Sequence, residues 1–138
     1  MTLLKELITR LPKFVSVAPT DSVRTAAKVM TDTNRNAVVI IDGQDMVGIV
    51  TERDLVRRVL LGGRDVDQVT AAEIMTEDLV VARQDSSVGA AIVLMRRHHI
   101  QHVPVVGHHG TLLAVLALRD LISEEVHEMR DYLALGDG

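Results

Sequence analysis

Gly48-Ile49-Val50-Thr51-Glu52-Arg53-Asp54-Leu55 is the stretch from which the fold of this chain follows. A short apolar run ends there, and a threonine and an aspartate three residues apart open a helical pattern. Nearly the same pattern, Ala114-Val115-Leu116-Ala117-Leu118-Arg119-Asp120-Leu121, returns 66 residues later. Two copies at a fixed period in a chain of 138 residues indicate a duplicated structural unit.

The duplication extends to the apolar positions of the first half. Val23 and Met30 lie on one helical stripe, and Val88 and Met95 repeat them 65 positions later. Apolar runs and turn residues predict the order strand, helix, strand, strand, helix. The expected elements are a strand over 14–17, a helix capped by Thr20 or Asp21 and ending near Met30, strands over 37–41 and 46–50, and a helix from Thr51 to about 61.

The second half predicts the same order of elements. They are a strand over 79–82, a helix from 88 to about 97 capped within 85–87, strands over 103–106 and 112–116, and a last helix from about 118 to 133. We expect that neither half closes a core alone and that the two pack face to face around a pseudo-two-fold axis. The predicted fold is α+β, with two βαββα repeats. Its parts are a helix or extension over 1–10, repeats over 11–63 and 75–128, a linker over 64–74, and a tail over 129–138 whose last residues, 136–138, fray.

The composition argues against several classes of function. The chain has one Phe, one Tyr and no Trp, so it lacks the aromatic surface on which single-stranded nucleic acid stacks, and its net charge of −4 disfavours DNA. Without Cys there is neither a disulfide framework nor a thiolate zinc site. No apolar run approaches the roughly 20 residues of a membrane helix, and residues 1–10 lack the apolar centre of a signal peptide. We therefore expect a soluble, cytoplasmic protein that binds neither nucleic acid nor membrane.

The two halves resemble a tandem pair of cystathionine-β-synthase (CBS) domains, called a Bateman module. The signature Gly-apolar-apolar-Thr-x-x-Asp is complete at Gly48, Thr51 and Asp54, whereas the second copy has Ala117 in place of the threonine and keeps Asp120. The resemblance covers residues 11–128, nearly the whole chain. It implies a stand-alone CBS-domain protein that binds adenosine-containing ligands in clefts between the paired repeats and forms a homodimer.

Thr51 and Asp54 allow two interpretations. An aspartate in the first turn of a helix can accept hydrogen bonds from both hydroxyls of a ribose, and each charge-assisted bond contributes about 1.5–3 kcal/mol where water is excluded. The free N–H groups of that turn favour an anion. Alternatively, Thr51-x-x-Asp54 is a variant capping box that serves only the helix.

The resemblance implies two sets of ligand contacts, with site one better equipped because Ala117 lacks a hydroxyl. Arg53 and Arg119 precede the aspartates and are equally suited to reach a phosphate or to lie in solvent. The expected residues of site one are Ser16, Val17, Asn36, Ala37, Val38, Thr51, Arg53 and Asp54, and those of site two are Val81, Ala82, Gln101, His102, Val103, Arg119 and Asp120.

Five of the six histidines lie between His98 and His109. His98 and His102 have metal-ligand spacing only if one helix carries both, and the helix is expected to end near His98. We therefore predict no metal site and expect these side chains to be solvated or cleft-edge imidazoles that could make phosphate binding depend on pH. The apolar stripe of the last helix, which includes Ile122 and Val126, is expected to serve the core or a dimer interface.

No nucleophile–base pair, phosphate loop or metal cage is recognisable, so we expect no enzyme and no catalytic cofactor. The first hypothesis is a regulatory module that binds AMP, ADP or ATP and passes the signal to a downstream protein by a conformational or dimer change. The second is a ligand-free dimerisation or scaffold module in which Asp54 and Asp120 only cap helices.

Overall fold

The structure is a computed structural model that describes residues 1–136, and the chain divides into two compact units. The first-repeat unit is Phe14–Leu79, and the second-repeat unit combines Met1–Lys13 with Val80–Gly138. Asp137 and Gly138, at the end of the expected C-terminal tail, lie outside the described residues.

The first-repeat unit contains a three-stranded sheet in the order β1-β2-β3, with β1 parallel and β3 antiparallel to β2. The helix that begins at Glu52 continues after Asp54 as a π-helical turn over Leu55–Leu60. The elements are β1 (Ser16–Val17), α2 (Val23–Thr33), β2 (Ala37–Asp42), β3 (Asp45–Thr51), α3 (Glu52–Asp54) and α4 (Ala71–Ile74); α1 (Leu4–Leu7) precedes them in the chain but belongs to the other unit.

The second-repeat unit has the same topology, β4-β5-β6, with a parallel first pair and an antiparallel second pair. Its elements are α1 with a 3-10 turn over Ile8–Arg10, then β4 (Ala82–Arg83), α5 (Val88–His98), β5 (His102–Val106), β6 (Leu112–Ala117) and α6 (Leu118–Gly136). The mixed α and β architecture and the duplicated order predicted from the sequence are confirmed.

The duplication holds at the level of backbone detail. Each antiparallel pair carries a register shift at the same position, between Ile40 and Ile41 and between Val105 and Val106. The first helix of each unit ends at a left-handed residue, Asn34 at φ 55° and His99 at φ 54°. The two repeats therefore share these details of local backbone geometry at positions 65 residues apart.

Each unit has its own hydrophobic core, and neither core is built from the residues of one predicted repeat alone. The core of the second-repeat unit contains Leu4 and Leu7 from the start of the chain. The core of the first-repeat unit contains Ala71 and Ile74 from α4, which precedes the second repeat. Each repeat thus closes its core with the segment that precedes the other repeat in the sequence.

Backbone hydrogen bonds hold these two segments in equivalent ways. The amide of Leu4 donates to the carbonyl of Ser86 at 2.8 Å. The amide of Ala71 donates to the carbonyl of Asp21 at 2.7 Å, and Asp21 lies 65 positions before Ser86. The N-terminal helix is therefore a structural part of the second-repeat unit.

Several boundaries differ from the sequence predictions. The first strand of each repeat has only two residues, and β4 begins at Ala82 instead of 79. Ser22, not Thr20 or Asp21, caps α2, since its hydroxyl accepts the amide of Thr25 at 3.1 Å. The expected helix from Thr51 is α-helical only to Asp54, and α6 continues three residues past Leu133.

Candidate functional site

Strand pairing brings Asn36 and Ala37, two of the predicted residues of site one, to the start of α3. Ala37 is the cross-strand partner of Thr51, so the start of β2 lies beside the end of β3. The amide of Glu52 donates to the carbonyl of Asn36 at 3.1 Å. Asn36, Ala37 and the Thr51–Asp54 turn are therefore neighbours at one edge of the sheet.

The carboxylate of Asp54 closes a capping box with Thr51. Oδ2 of Asp54 accepts the Thr51 amide at 2.9 Å and the Thr51 hydroxyl at 3.1 Å. The amide of Asp54 donates back to the Thr51 hydroxyl at 3.3 Å. The capping interpretation therefore describes the local geometry, in which the Thr51 hydroxyl donates to Asp54.

The two carboxylate oxygens of Asp54 have different partners. A carboxylate has about four lone-pair sites, two on each oxygen, and the two bonds from Thr51 occupy those of Oδ2. Oδ1 lies 3.7 Å from Nε of Arg58, and the side chain of Asp54 is 14% exposed. Oδ1 is thus the atom with which Asp54 can bind a ligand hydroxyl.

Steric contact with Met75 explains why the signature has a glycine at position 48. A Cβ at Gly48 would lie 2.7 Å from Cγ and 2.9 Å from Cβ of Met75. Met75 follows α4 and packs against the core of the first-repeat unit. The equivalent residue of the second repeat is Ala114, which is buried. Gly48 therefore lets the segment after α4 approach β3.

The remaining predicted residues of site one fall into two groups. Val17 and Val38 are buried in the core, so only their backbone groups could face a ligand. Ser16 and Arg53 are exposed. The structure therefore brings the Asn36–Ala37 and Thr51–Asp54 segments together by hydrogen bonds, while Ser16 is joined to them only through the pairing of β1 with β2.

Site two repeats this framework with fewer polar groups. His102 is the cross-strand partner of Ala117, and the amide of Leu118 donates to the carbonyl of Gln101 at 2.8 Å. Oδ2 of Asp120 accepts the amide of Ala117 at 3.0 Å. Of the other predicted residues, Ala82 and Val103 are buried, while Val81 and Arg119 are exposed.

A further difference lies four residues after each aspartate, where the two repeats carry opposite charges. In the first repeat this residue is Arg58, whose Nη1 donates to the carbonyl of Ile74 at 2.9 Å and lies 3.4 Å from that of Met75. In the second repeat it is Glu124. Arg58 is not part of the predicted site, although its i+4 spacing from Asp54 predicts an ion pair.

Glu124 is only 8% exposed, whereas a glutamate on an amphipathic helix is expected on its solvated face. Its Oε1 accepts Nη2 of Arg10 at 3.0 Å and the hydroxyl of Thr2 at 3.1 Å. The hydrogen bond from Arg10, followed by that from Thr2, holds the pKa of Glu124 below its ordinary value against the opposing effect of burial. The amide of Thr2 also donates to the carboxylate of Glu128.

The histidines lie mainly in solvent. His98, His99, His108 and His109 are exposed, and Nε2 of His108 lies 3.7 Å from the carboxylate of Asp85. Over residues 1–136, no three His, Cys, Asp or Glu side chains are grouped so that they could hold a metal ion.

In the same part of the chain, no helix combines the length and apolarity needed to cross a membrane.

A pocket of about 480 Å³, which the sequence did not predict, lies in the first-repeat unit between α2 and the π-helical turn. Its size suits a small molecule, but its lining is almost entirely apolar. The two cations of the lining, Arg24 and Arg64, already face Asp67 and Glu73. The lining residues are Val23, Arg24, Ala27, Leu55, Val56, Val59, Leu60, Gly63, Arg64 and Val66.

Curated relatives match the chain over most of its length. The protein YlbB of Bacillus subtilis is 36% identical over 132 residues, which cover 93% of this chain and 86% of the relative. Relatives from Methanopyrus kandleri and Arabidopsis thaliana are 31% and 33% identical, and the matches span only 57% of their own lengths. The inosine-5′-monophosphate dehydrogenase of Methanocaldococcus jannaschii is 28% identical over 111 residues, 21% of that enzyme.

Solved structures share the fold. A protein with CBS domains from Burkholderia ambifaria is 28% identical with a TM-score of 0.85, covering 91% of this chain and 95% of that one. A CBS-domain protein from Pyrobaculum aerophilum complexed with AMP is 29% identical with a TM-score of 0.78, covering 86% and 89%. The CBS domain pair of the protein MJ0100, in complex with 5′-methylthioadenosine and S-adenosyl-L-methionine, is 25% identical with a TM-score of 0.80, covering 93% and 98%.

The family model for the CBS domain matches residues 4–61 and 71–127. Both matches begin at or near the short helix, α1 or α4, that closes the core of the other repeat. The chain belongs to the CBS-domain family and carries two CBS domains in tandem.

Proposed function

We propose that this protein is a regulatory module that binds an adenosine-containing nucleotide of the AMP, ADP or ATP class at site one. Oδ1 of Asp54 carries this proposal, because its lone pairs are not used by the capping box and lie beside the start of β2. A ribose presents two adjacent hydroxyl donors to such an oxygen. Support also comes from the two related structures, which hold AMP and S-adenosyl-L-methionine with 5′-methylthioadenosine.

Site two is proposed as the weaker site. Asp120 keeps the carboxylate, but Ala117 supplies no hydroxyl to orient it. Gln101 and His102 lie beside Ala117 and offer side-chain donors to a phosphate. We therefore expect site two to bind the same class of ligand with lower affinity than site one.

The proposed role is regulatory and not catalytic. The part of inosine-5′-monophosphate dehydrogenase that resembles this chain is about a fifth of that enzyme. A ligand that binds one conformation better than another shifts the population toward that conformation. The proposed output is a change that a downstream protein recognises.

The exposed face of α6 supports a homodimer. Ile122, Val126, Met129 and Leu133 alternate at spacings of four, three and four residues, which is the spacing of a coiled-coil seam, and each is 46% to 65% exposed. In two parallel helices with this seam, Glu125 of one copy faces Arg130 of the other. This opposite-charge pair favours a parallel arrangement of the two α6 helices.

One observation favours a second function, that of a ligand-free scaffold. The box of Thr51 and Asp54 satisfies its own polar groups, so the aspartate has a structural role without any ligand. The two functions predict different thermal shifts. Ligands that bind the folded state raise its melting temperature, whereas a scaffold shows no shift.

A thermal-shift panel of AMP, ADP, ATP and S-adenosyl-L-methionine tests the proposal on the wild type, Asp54→Ala and Asp120→Ala. We expect a shift that Asp54→Ala removes and Asp120→Ala largely keeps. Ser22→Ala is the matched control, since it removes a helix cap of the same unit without touching site one. The absence of any shift in the wild type would favour the scaffold.

A further inference from the structure

We propose that Arg58 couples occupancy of site one to the segment that leads into the second repeat, which makes it a positioning residue for the ligand response. The inference rests on the proposed ribose recognition by Asp54. The guanidinium group of Arg58 contacts both the Asp54 carboxylate and the end of α4. Nε of Arg58 lies 3.7 Å from Oδ1 of Asp54, and Nη1 donates to the carbonyl of Ile74.

The two partners of Arg58 differ in what else they contact. Oδ1 of Asp54 is the carboxylate oxygen that the capping box leaves for a ligand, and the two hydroxyls of a ribose would fill both of its lone-pair sites, so they compete with Arg58 for it. Arginine keeps its charge at all physiological pH values and has a rigid fork of donors. A hydroxyl bound to Oδ1 therefore weakens the ion pair without changing the charge of Arg58.

The carbonyls held by Arg58 belong to the segment that leaves the first repeat, whose Ile74 and Met75 side chains also pack in or against the core of that unit. After α4, Thr76 exchanges two backbone hydrogen bonds with Ile49 of β3, at 2.9 and 3.1 Å. Four residues later the chain enters the second-repeat unit at Val80. A weaker hold by Arg58 on Ile74 and Met75 therefore loosens the exit of the chain from the first repeat.

The second repeat lacks this connection. Glu124 takes the place of Arg58, is anionic, and is held by Arg10 and Thr2. It cannot form an ion pair with Asp120. The coupling is therefore specific to site one, and the two sites differ in output as well as in affinity.

Hydrogen exchange and calorimetry on the full chain test the coupling with ATP and 2′-deoxy-ATP. The variants are Arg58→Gln and the matched control Arg57→Gln, an exposed neighbour with the same loss of charge. In the wild type and Arg57→Gln, ATP should speed exchange at the amides of Met75 and Thr76. In Arg58→Gln this response should be lost, and the preference for ATP over 2′-deoxy-ATP should rise about twofold, the factor expected of an i,i+4 ion pair.

The outcomes separate this inference from the proposed function. If Arg58→Gln keeps both the wild-type exchange response and the wild-type preference for ATP, the coupling is wrong although ribose recognition stands. A wild type that does not distinguish the two ligands, or binds neither, overturns ribose recognition and the coupling together. Slower exchange at Met75 and Thr76 on binding would also contradict the proposed loosening.

Discussion

Thr51 donates both its amide and its hydroxyl to Oδ2 of Asp54, so that one residue occupies one oxygen of the candidate ribose-binding carboxylate. The other oxygen faces Arg58. In the second repeat the amide of Ala117 reaches Asp120 in the same way, without a hydroxyl. The predictions below follow from these contacts and from the differences between the two repeats.

Exchanging the residues at positions 51 and 117 should change the stability of each unit in opposite directions. Thr51→Ala removes a capping hydroxyl and should lower the free energy of unfolding by about 1 kcal/mol. Ala117→Thr supplies the missing hydroxyl to Asp120 and should raise it by up to about 1 kcal/mol. Urea unfolding measures both changes. If Ala117→Thr destabilises the protein, the two turns are not equivalent.

Gly48→Ala should destabilise the first-repeat unit because the new methyl group meets Met75. Overpacking of this kind costs about 1–3 kcal/mol. The same substitution in a Met75→Ala background should cost less, because the clashing Sδ and Cγ atoms are gone and only the contact with Cβ remains. Chemical denaturation of the four proteins gives the coupling energy, and additive effects would show that Met75 is not the reason for the glycine.

The ion pair of Glu124 should make stability depend on pH. Because the hydrogen bond from Arg10 lowers the pKa of Glu124 in the folded protein, its stabilisation is complete above the unfolded value of about 4.3 and is lost as the pH falls through the folded pKa. Glu124→Gln should therefore destabilise the protein at pH 7 and matter less in acid. A difference between wild type and variant that grows on acidification would contradict this assignment.

The seam on α6 should control self-association. Val126→Glu places a charge in the middle of the exposed apolar stripe and should shift the protein toward monomers in sedimentation experiments. His127→Glu, one position away and outside the seam, is the control. Tyr132 is the single tyrosine of the chain and lies beside Leu133, so its fluorescence should depend on concentration in the wild type and in His127→Glu but not in Val126→Glu. Identical mass distributions for the wild type and Val126→Glu would exclude this seam.

Local patterns were enough to predict the duplicated order of elements and the Thr51–Asp54 turn, because caps and apolar periodicity act between near neighbours. They could not reveal that Glu124 is buried, since Thr2 and Arg10, which hold it, lie more than a hundred positions earlier. Local patterns also could not place Leu4 and Leu7 in the second-repeat core, because the residues that they contact there are distant in the sequence. The π-helical turn after Asp54 was missed because Leu55–Leu60 has an ordinary helical composition. The specific ligand-binding residues stay a prediction.

The affinity of the wild type for ATP and for 2′-deoxy-ATP, measured by calorimetry, tests the central claim most directly. A hydrogen bond to a charged group contributes about 1.5–3 kcal/mol, so removing the 2′-hydroxyl should weaken binding about tenfold or more. The difference should shrink in Asp54→Asn, which can still cap the helix but has lost the charge. Equal affinities of the wild type for the two nucleotides would contradict recognition of the ribose by Asp54.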